Sequence, residues 1–251
     1  MIDIHCHLMV NVDDGPQTID EAEKMLELAQ EEGIKEIIVT PHYSARLKNL
    51  YESRFEEIKK IASNKGIILH KGCEYSIHDA LLEKGKLTTL AGSEYVLIEI
   101  KHGFLGDYIF NQIYELRVAG YEVIVAHPER SFAIKDMEKL YKLSEMGIYF
   151  QITCGSILGI FGREVQKFAI QLMEKGLCHF LASDAHDSQK RRFYVSDAKR
   201  YLIGKYGSKE QVDVLLLQNQ QAVIGDITTV KSVAFKKDNF IKMIFKKTLR
   251  R

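Results

Sequence analysis

Nine side chains of types that bind metal ions, His5, His7, Asp14, His42, Glu74, Glu99, His127, Asp184 and His186, are spread over most of the chain. Eight of them stand at or just after the end of a short apolar run. Six separate strand ends can bring such groups together only if the strands are parallel neighbours, whose carboxyl ends then open on one side. The ligand pattern thus demands a β/α scaffold with a multinuclear metal site at one end.

The apolar runs agree. Residues 1–4, 36–40, 67–69, 95–100, 123–126, 149–152 and 179–182 read as seven strands, with helix-period stretches between them. Strand alternating with helix indicates parallel βαβ units. In the first helix, Thr18 and Glu21 form a capping box, Ala22, Met25, Leu26 and Ala29 make the apolar stripe, and Gly33 ends it. Gly66, Gly120, Gly147 and Gly176 recur at the same helix-to-strand position. An open doubly wound sheet would gather ligands only where strand order reverses. Ligands on nearly every strand end favour a closed ring, so the expected fold is a (β/α) barrel of about seven units in one domain, residues 1–225.

Composition narrows the function classes. The formal charge is +1, but residues 226–251 hold eight Lys/Arg against two Asp, which leaves 27 basic and 32 acidic residues in the rest. A mildly acidic body argues against nucleic acid as a partner, since that affinity depends on neutralising phosphates with Lys and Arg. Cys6, Cys73, Cys154 and Cys178 are far apart and read as reduced packing residues. The amino terminus enters a strand with no leader pattern, and no run approaches the ~20 apolar residues needed to span a bilayer. A cytoplasmic protein is expected.

The ligand spacings carry the chemistry. His5 and His7 at i and i+2 on a strand share a face while Cys6 points the other way, and Asp184 with His186 repeats that geometry on the last strand. Nine donors exceed what one ion can use, so two or three are implied, and mixed imidazole and carboxylate without thiolate suits Mn, Fe or Zn. His70, His78, His102 and His179 read as hydrogen-bonded surface or core side chains. No Cys is followed six residues later by Arg, so a cysteine-based phosphatase loop is absent, as are phosphate-binding glycine loops.

At these residues the chain resembles a known family. Met-Ile-Asp-Ile-His-Cys-His at the start, Val-Asp-Asp-Gly, Thr-Pro-His, Leu-Ile-Glu-Ile, Val-Ile-Val-Ala-His-Pro-Glu-Arg, Gln-Ile-Thr-Cys-Gly-Ser and Ala-Ser-Asp-Ala-His occur in order. They are similar to the bacterial polymerase-and-histidinol-phosphatase (PHP) superfamily, and more narrowly to its manganese-dependent protein-tyrosine phosphatases of capsular and exopolysaccharide operons. The resemblance implies a distorted (β/α)7 barrel of PHP type, TIM-like, and three divalent ions, most compatibly Mn, on the nine positions above. It implies catalytic, phosphate-binding arginines that match Arg130 and Arg191, with Arg192 the alternative register. It also implies as substrate a membrane-anchored bacterial tyrosine kinase. Rival readings are a histidinol-phosphate type phosphomonoesterase, a PHP-type nuclease, and a non-enzymatic membrane adaptor, whose mark would be missing ligands.

The basic tail, 226–251, carries Phe240, Ile241, Ile244 and Phe245 at helical spacing among its lysines and arginines. Such a segment can lie on an anionic membrane and hold the protein at its inner face. The plainer alternatives are a solvated tail or a subunit contact.

Overall fold

Strand and helix alternate along the computed structural model, which describes residues 1–100, 107–131, 136–225 and 227–236. The order is β1 (Ile2–Cys6), α1 (Ile19–Glu31), β2 (Glu36–Val39), α2 (Ala45–Asn64), β3 (Ile68–Lys71), β4 (Glu74–Ser76), α3 (Ile77–Leu82), β5 (Tyr95–Glu99) and α4 (Asp107–Val118). There follow β6 (Glu122–Ala126), α5 (Met137–Glu145), β7 (Tyr149–Thr153), α6 (Cys154–Leu158), α7 (Arg163–Glu174), β8 (Phe180–Ala182) and α8 (Val195–Tyr206). Every strand pairing is parallel, in one sheet ordered β1-β2-β3 and another ordered β4-β5-β6-β7-β8. The expected mixed α/β class and parallel order are therefore present.

The additional strand has a physical origin. Only Gly72 and Cys73 separate β3 from β4, so the two are halves of one bent strand, one half pairing with β2 and the other with β5. A Cβ at Gly72 would lie 2.7 Å from Ile38 Cγ2, so the bend has no room for a side chain. The buried Tyr51 hydroxyl serves both polar groups of the bend, donating to the Gly72 carbonyl at 2.6 Å and accepting from its N–H at 3.0 Å. Two isolated parallel bridges, His42 with Glu74 and Cys6 with Ala185, join the sheets at their carboxyl ends. At the second seam, Asp3 accepts from Ser183 N at 2.8 Å and Ser183 Oγ at 2.5 Å.

Apolar side chains of alternating phase divide into two cores. Ile2, Ile4, Ile38, Leu97, Ile124 and Phe180 form the inner one, while Met25, Leu26, Ile113, Leu140 and Leu172 pack helices against the outer face of the strands. β1 breaks its own alternation. Three steps from Asp3 to Cys6 oppose two from Ile37 to Val39, a bulge that shifts Cys6 to the outer core and turns His5 and His7 inward.

Helix α1 matches the expected stripe and stop, with Gly33 at φ +75°, but its capping box is half made. Thr18 Oγ1 accepts from Glu21 N at 3.3 Å, whereas the Glu21 carboxylate accepts from Ser188 N at 2.7 Å and ties the helix to the segment after His186. Residues 227–236 strap back onto the body. Phe235 is buried against Tyr206, ring centroids 5.0 Å apart, and Lys231 exchanges backbone hydrogen bonds with the Asn219 amide. His102, Phe240, Ile241, Ile244 and Phe245 lie outside the described residues.

His179 stands at the opposite end of β8 from the candidate ligands. Its Nδ1 accepts from Phe150 N at 3.1 Å, and burial pushes its pKa down to about 4. The folded state therefore binds fewer protons than the unfolded chain between pH ~6.5 and ~4, and stability falls as pH drops through that window. We expect His179→Asn, which keeps an acceptor, to lose on the order of 3 kcal/mol less than wild type over that range. Urea unfolding at several pH values checks this, and parallel curves for the two proteins would contradict it.

Candidate metal centre

The carboxyl ends of the strands carry all nine expected side chains to one place. His5 and His7 come from β1 and its exit, Asp14 from the following turn, and His42 from the segment after β2. Glu74 opens β4, Glu99 closes β5, His127 follows β6, and Asp184 and His186 follow β8. They form four overlapping groups whose ligand atoms lie within 4.8 Å of one another: His7, Asp14, His42, His186; His5, His7, Asp184; His5, Glu74, His127; and His42, Glu74, Glu99. Two positions, His127 at φ 32° and Asp184 at φ 53°, hold left-handed backbone. Such strain in non-glycine residues concentrates where side-chain aim matters.

Neighbouring groups set the aim of the two imidazoles of β1 and its exit. His5 Nδ1 meets Gln151 Oε1 at 2.9 Å, and His7 Nδ1 meets Asp13 Oδ2 at 2.7 Å. Both Nε2 atoms are thereby left for the centre, 3.2 Å apart, with Asp184 Oδ1 at 3.2 Å from His5 and Glu74 Oε2 at 3.3 Å from His7. Asp13 also accepts from His42 N at 2.9 Å and Gly15 N at 3.0 Å, which locks the turn carrying Asp14. Asp13 and Gln151 lie within motifs of the sequence, but their aiming roles are not read from it. The Asp-Asp-Gly turn offered two carboxylates, and nothing in one sequence says which faces inward.

Glu74 and Asp184 are the electrostatic heart of the cluster. Burial alone would push both carboxyls up, but imidazoles around Glu74, and Arg130 with imidazoles around Asp184, hold both well below the usual range. Burial likewise opposes the His7 imidazolium, yet Asp13 and Glu74 push its pKa up to about 10. Glu74 Oε2 is buried among imidazole nitrogens, with His42 Nδ1 at 3.0 Å, His7 Nε2 at 3.3 Å and His5 Nε2 at 3.5 Å. A dry carboxylate ringed by imidazole nitrogens is the environment a divalent cation completes, and mixed N and O donors without thiolate fit Mn, Fe or Zn.

Arg130 and Arg191 converge on the same carboxylate oxygen, Asp184 Oδ2, Arg191 at 2.9 Å, and Arg191 also reaches Asp14 at 3.3 Å. Arg130 lies over the Phe161 ring at 4.7 Å, while adjacent Glu129 is turned away to Thr153 N and Ser156 Oγ. Arg192 is not brought to the centre. Glu32 at 3.3 Å, Asp197 at 2.8 Å and the Tyr194 ring at 4.2 Å hold it to the outer helices. His70 pairs with Glu36 at 2.8 Å, as a non-ligand histidine should.

Because Asp13 fixes His7, we predict that Asp13→Ala weakens metal affinity by about 10- to 100-fold while the fold persists. Chelator competition measures this. Unchanged affinity would remove Asp13 from the aiming of His7.

Comparison with known proteins agrees with this geometry. The tyrosine-protein phosphatase YwqE of Bacillus subtilis is 34% identical, the match covering 91% of this chain and 93% of the relative. The tyrosine-protein phosphatase CpsB of Streptococcus pneumoniae is 31% identical over 90% and 99%. A crystal structure from work on YwqE and CpsB as metal-dependent tyrosine phosphatases superposes with a TM-score of 0.81 at 31% identity, covering 95% of this chain and all of the other. The family model for capsular polysaccharide synthesis, CpsB/CapC, matches residues 1–225, and the chain belongs to that family.

Proposed function

We propose that this chain is a metal-dependent protein-tyrosine phosphatase that removes phosphate from a tyrosine-phosphorylated protein of capsular or exopolysaccharide synthesis. One observation carries the reading: a cluster of nine nitrogen and oxygen donors, buried at its centre and open at Asp14 and His42, stands directly beside two guanidiniums that share Asp184 Oδ2. The named activity of its relatives YwqE and CpsB supports it. We assign the nine donors as ligands of two or three divalent ions, three and Mn by family resemblance. When bound, such ions polarise phosphoryl oxygens and acidify water.

The chain's own residues supply the remaining steps. Arg130 and Arg191 present planar forks that can leave Asp184 and donate to phosphoryl oxygens in pairs. Phe161, beneath Arg130, keeps that fork oriented and offers an aromatic face to the tyrosyl ring. Asp13 and Gln151 hold His7 and His5 in the tautomers that aim Nε2 inward. Thiol chemistry does not fit, because burial pushes Cys6, Cys73, Cys154 and Cys178 well up and keeps them protonated.

The two sheets, joined at both seams, are best read as a distorted (β/α)7 barrel with the bent β3–β4 strand counted once. Residues 1–225 form the phosphatase body. The tail, 226–251, includes the packed strap 227–236, and its basic and aromatic remainder has the composition that suits an anionic membrane. Among the described residues no helix is long and apolar enough to cross a membrane. The basic, aromatic sequence of the tail supports a place in the cytoplasm, peripheral to the membrane that anchors the proposed kinase substrate. Cutting the chain after Lys236 should spare peptide hydrolysis and abolish sedimentation with anionic vesicles, and equal sedimentation of both forms would return the tail to a solvated segment.

Initial rates on a phosphotyrosyl peptide test the activity itself. EDTA should abolish turnover and Mn restore it, while Arg130→Ala should cost more than about tenfold in kcat/KM with metal content unchanged. Turnover indifferent to EDTA, or an Arg130→Ala variant with wild-type rates, would contradict the assignment.

A further inference from the structure

A groove on the outside of the molecule runs between α7 and α8, and Lys167 on its wall also lines an adjoining depression together with Arg130. Both helices start on the ligand side, α7 after α6 at the exit of β7 and α8 after the segment that carries His186. The mouth is formed by Leu158, Ile160 and Tyr194. Ile160 adjoins Phe161, on which Arg130 rests, and Tyr194 stacks under Arg192, the neighbour of Arg191. From there a depression of about 870 Å³ runs past Tyr201 and Lys205 into one of about 530 Å³ lined by Arg163 and Lys167. Lys167 also lines, together with Arg130, a third of about 290 Å³.

Charge in this groove is one-sided. Arg163, Lys167, Arg200 and Lys205 face Asp197 and Glu174, and both carboxylates are engaged. Asp197 accepts from Arg192 at 2.8 Å and Arg200 at 3.1 Å, and Glu174 accepts from the Tyr206 hydroxyl at 2.9 Å. Glu164, in the first turn of α7, faces the third depression. Among the described residues neither Arg163 nor Lys167 has a carboxylate partner. Their placement runs against local preference. Arg163 is the first residue of α7, at the positive end of the helix dipole, and Lys167 follows four residues later as a like-charge neighbour. A body with more Asp and Glu than Lys and Arg thus gathers Arg163, Lys167 and Lys205, without carboxylate partners among the described residues, along one track that adjoins the depression lined by Arg130.

We propose that this groove receives the acidic segment flanking the phosphotyrosine of the substrate protein, with Arg163, Lys167 and Lys205 selecting Asp and Glu while Arg130 and Arg191 hold the phosphoryl group. The inference rests on the phosphatase reading above. Ile160 and Tyr201 supply apolar surface for the peptide's side chains, and the cations add attraction that speeds capture of an anionic chain.

The test uses full-length, Mn-loaded protein and three substrates: free phosphotyrosine, a phosphotyrosyl peptide flanked by Asp and Glu, and one flanked by Ser and Gly. Wild type should favour the acidic peptide by about tenfold or more in kcat/KM, and the preference should shrink as salt rises. Combined Arg163→Glu, Lys167→Glu and Lys205→Glu should bring it to about twofold or less, chiefly through KM. Thermal melting reports whether that protein folds, and Lys167→Glu alone, with a partial loss of preference, serves if it does not. Equal kcat/KM of wild type on both peptides, or a preference kept by the charge-reversed proteins, would overturn the groove's role alone. No turnover of any of the three substrates would overturn the phosphatase reading and this inference with it.

Discussion

Two carboxylates that the fold has almost entirely removed from water, Glu74 and Asp184, must be neutralised where they stand, and much of the carboxyl face of the strands is arranged around that need. An isolated buried carboxylate is too costly to keep charged. Here five imidazoles and two guanidiniums surround the pair, and cations between the ligand atoms would complete the neutralisation. The bent β3–β4 strand brings Glu74 to His42, and the Asp3–Ser183 pair holds β1 against the segment carrying Asp184. The same contacts that join the sheets therefore assemble the site.

Arg130 and Arg191 give the site its direction. Each is attached to Asp184 Oδ2, so under the proposed function each would exchange a carboxylate for a phosphoryl oxygen with little rearrangement of its backbone. Arg192, one residue on, is held by Glu32, Asp197 and Tyr194 and braces the helices that wall the outer groove. Adjacent arginines thus divide between the donor cluster and the outer helices by the phase of the backbone.

Much of this was legible in the sequence because metal-ligand types are few and short apolar runs mark the strand ends that carry them. His5 with His7 and Asp184 with His186 declare a shared face, and the apolar runs place the other ligands at strand ends. What the sequence hid depended on single-residue phase. The bulge in β1 reverses the alternation that Ile2 and Ile4 would imply for His5, and no propensity marks it. Gly72 reads as a turn residue, yet it bends a strand so that one run serves two sheets. Asp13 and Asp14 are equivalent on paper, and only the fold turns one to His7 and the other to His186. Gln151 lay in view within a motif, but an amide that aims an imidazole looks like any polar strand residue.

The central claim is that divalent cations, held by the nine donors, are what the buried carboxylates are built for. Anomalous diffraction from crystals grown with Mn tests it most directly. Two or three anomalous peaks are expected, bounded by His5, His7, Asp14, His42, Glu74, Glu99, His127, Asp184 and His186, with the Arg130 and Arg191 guanidiniums making no bond to metal. A cluster without anomalous density, its imidazoles still paired directly to Glu74 and Asp184, would contradict it.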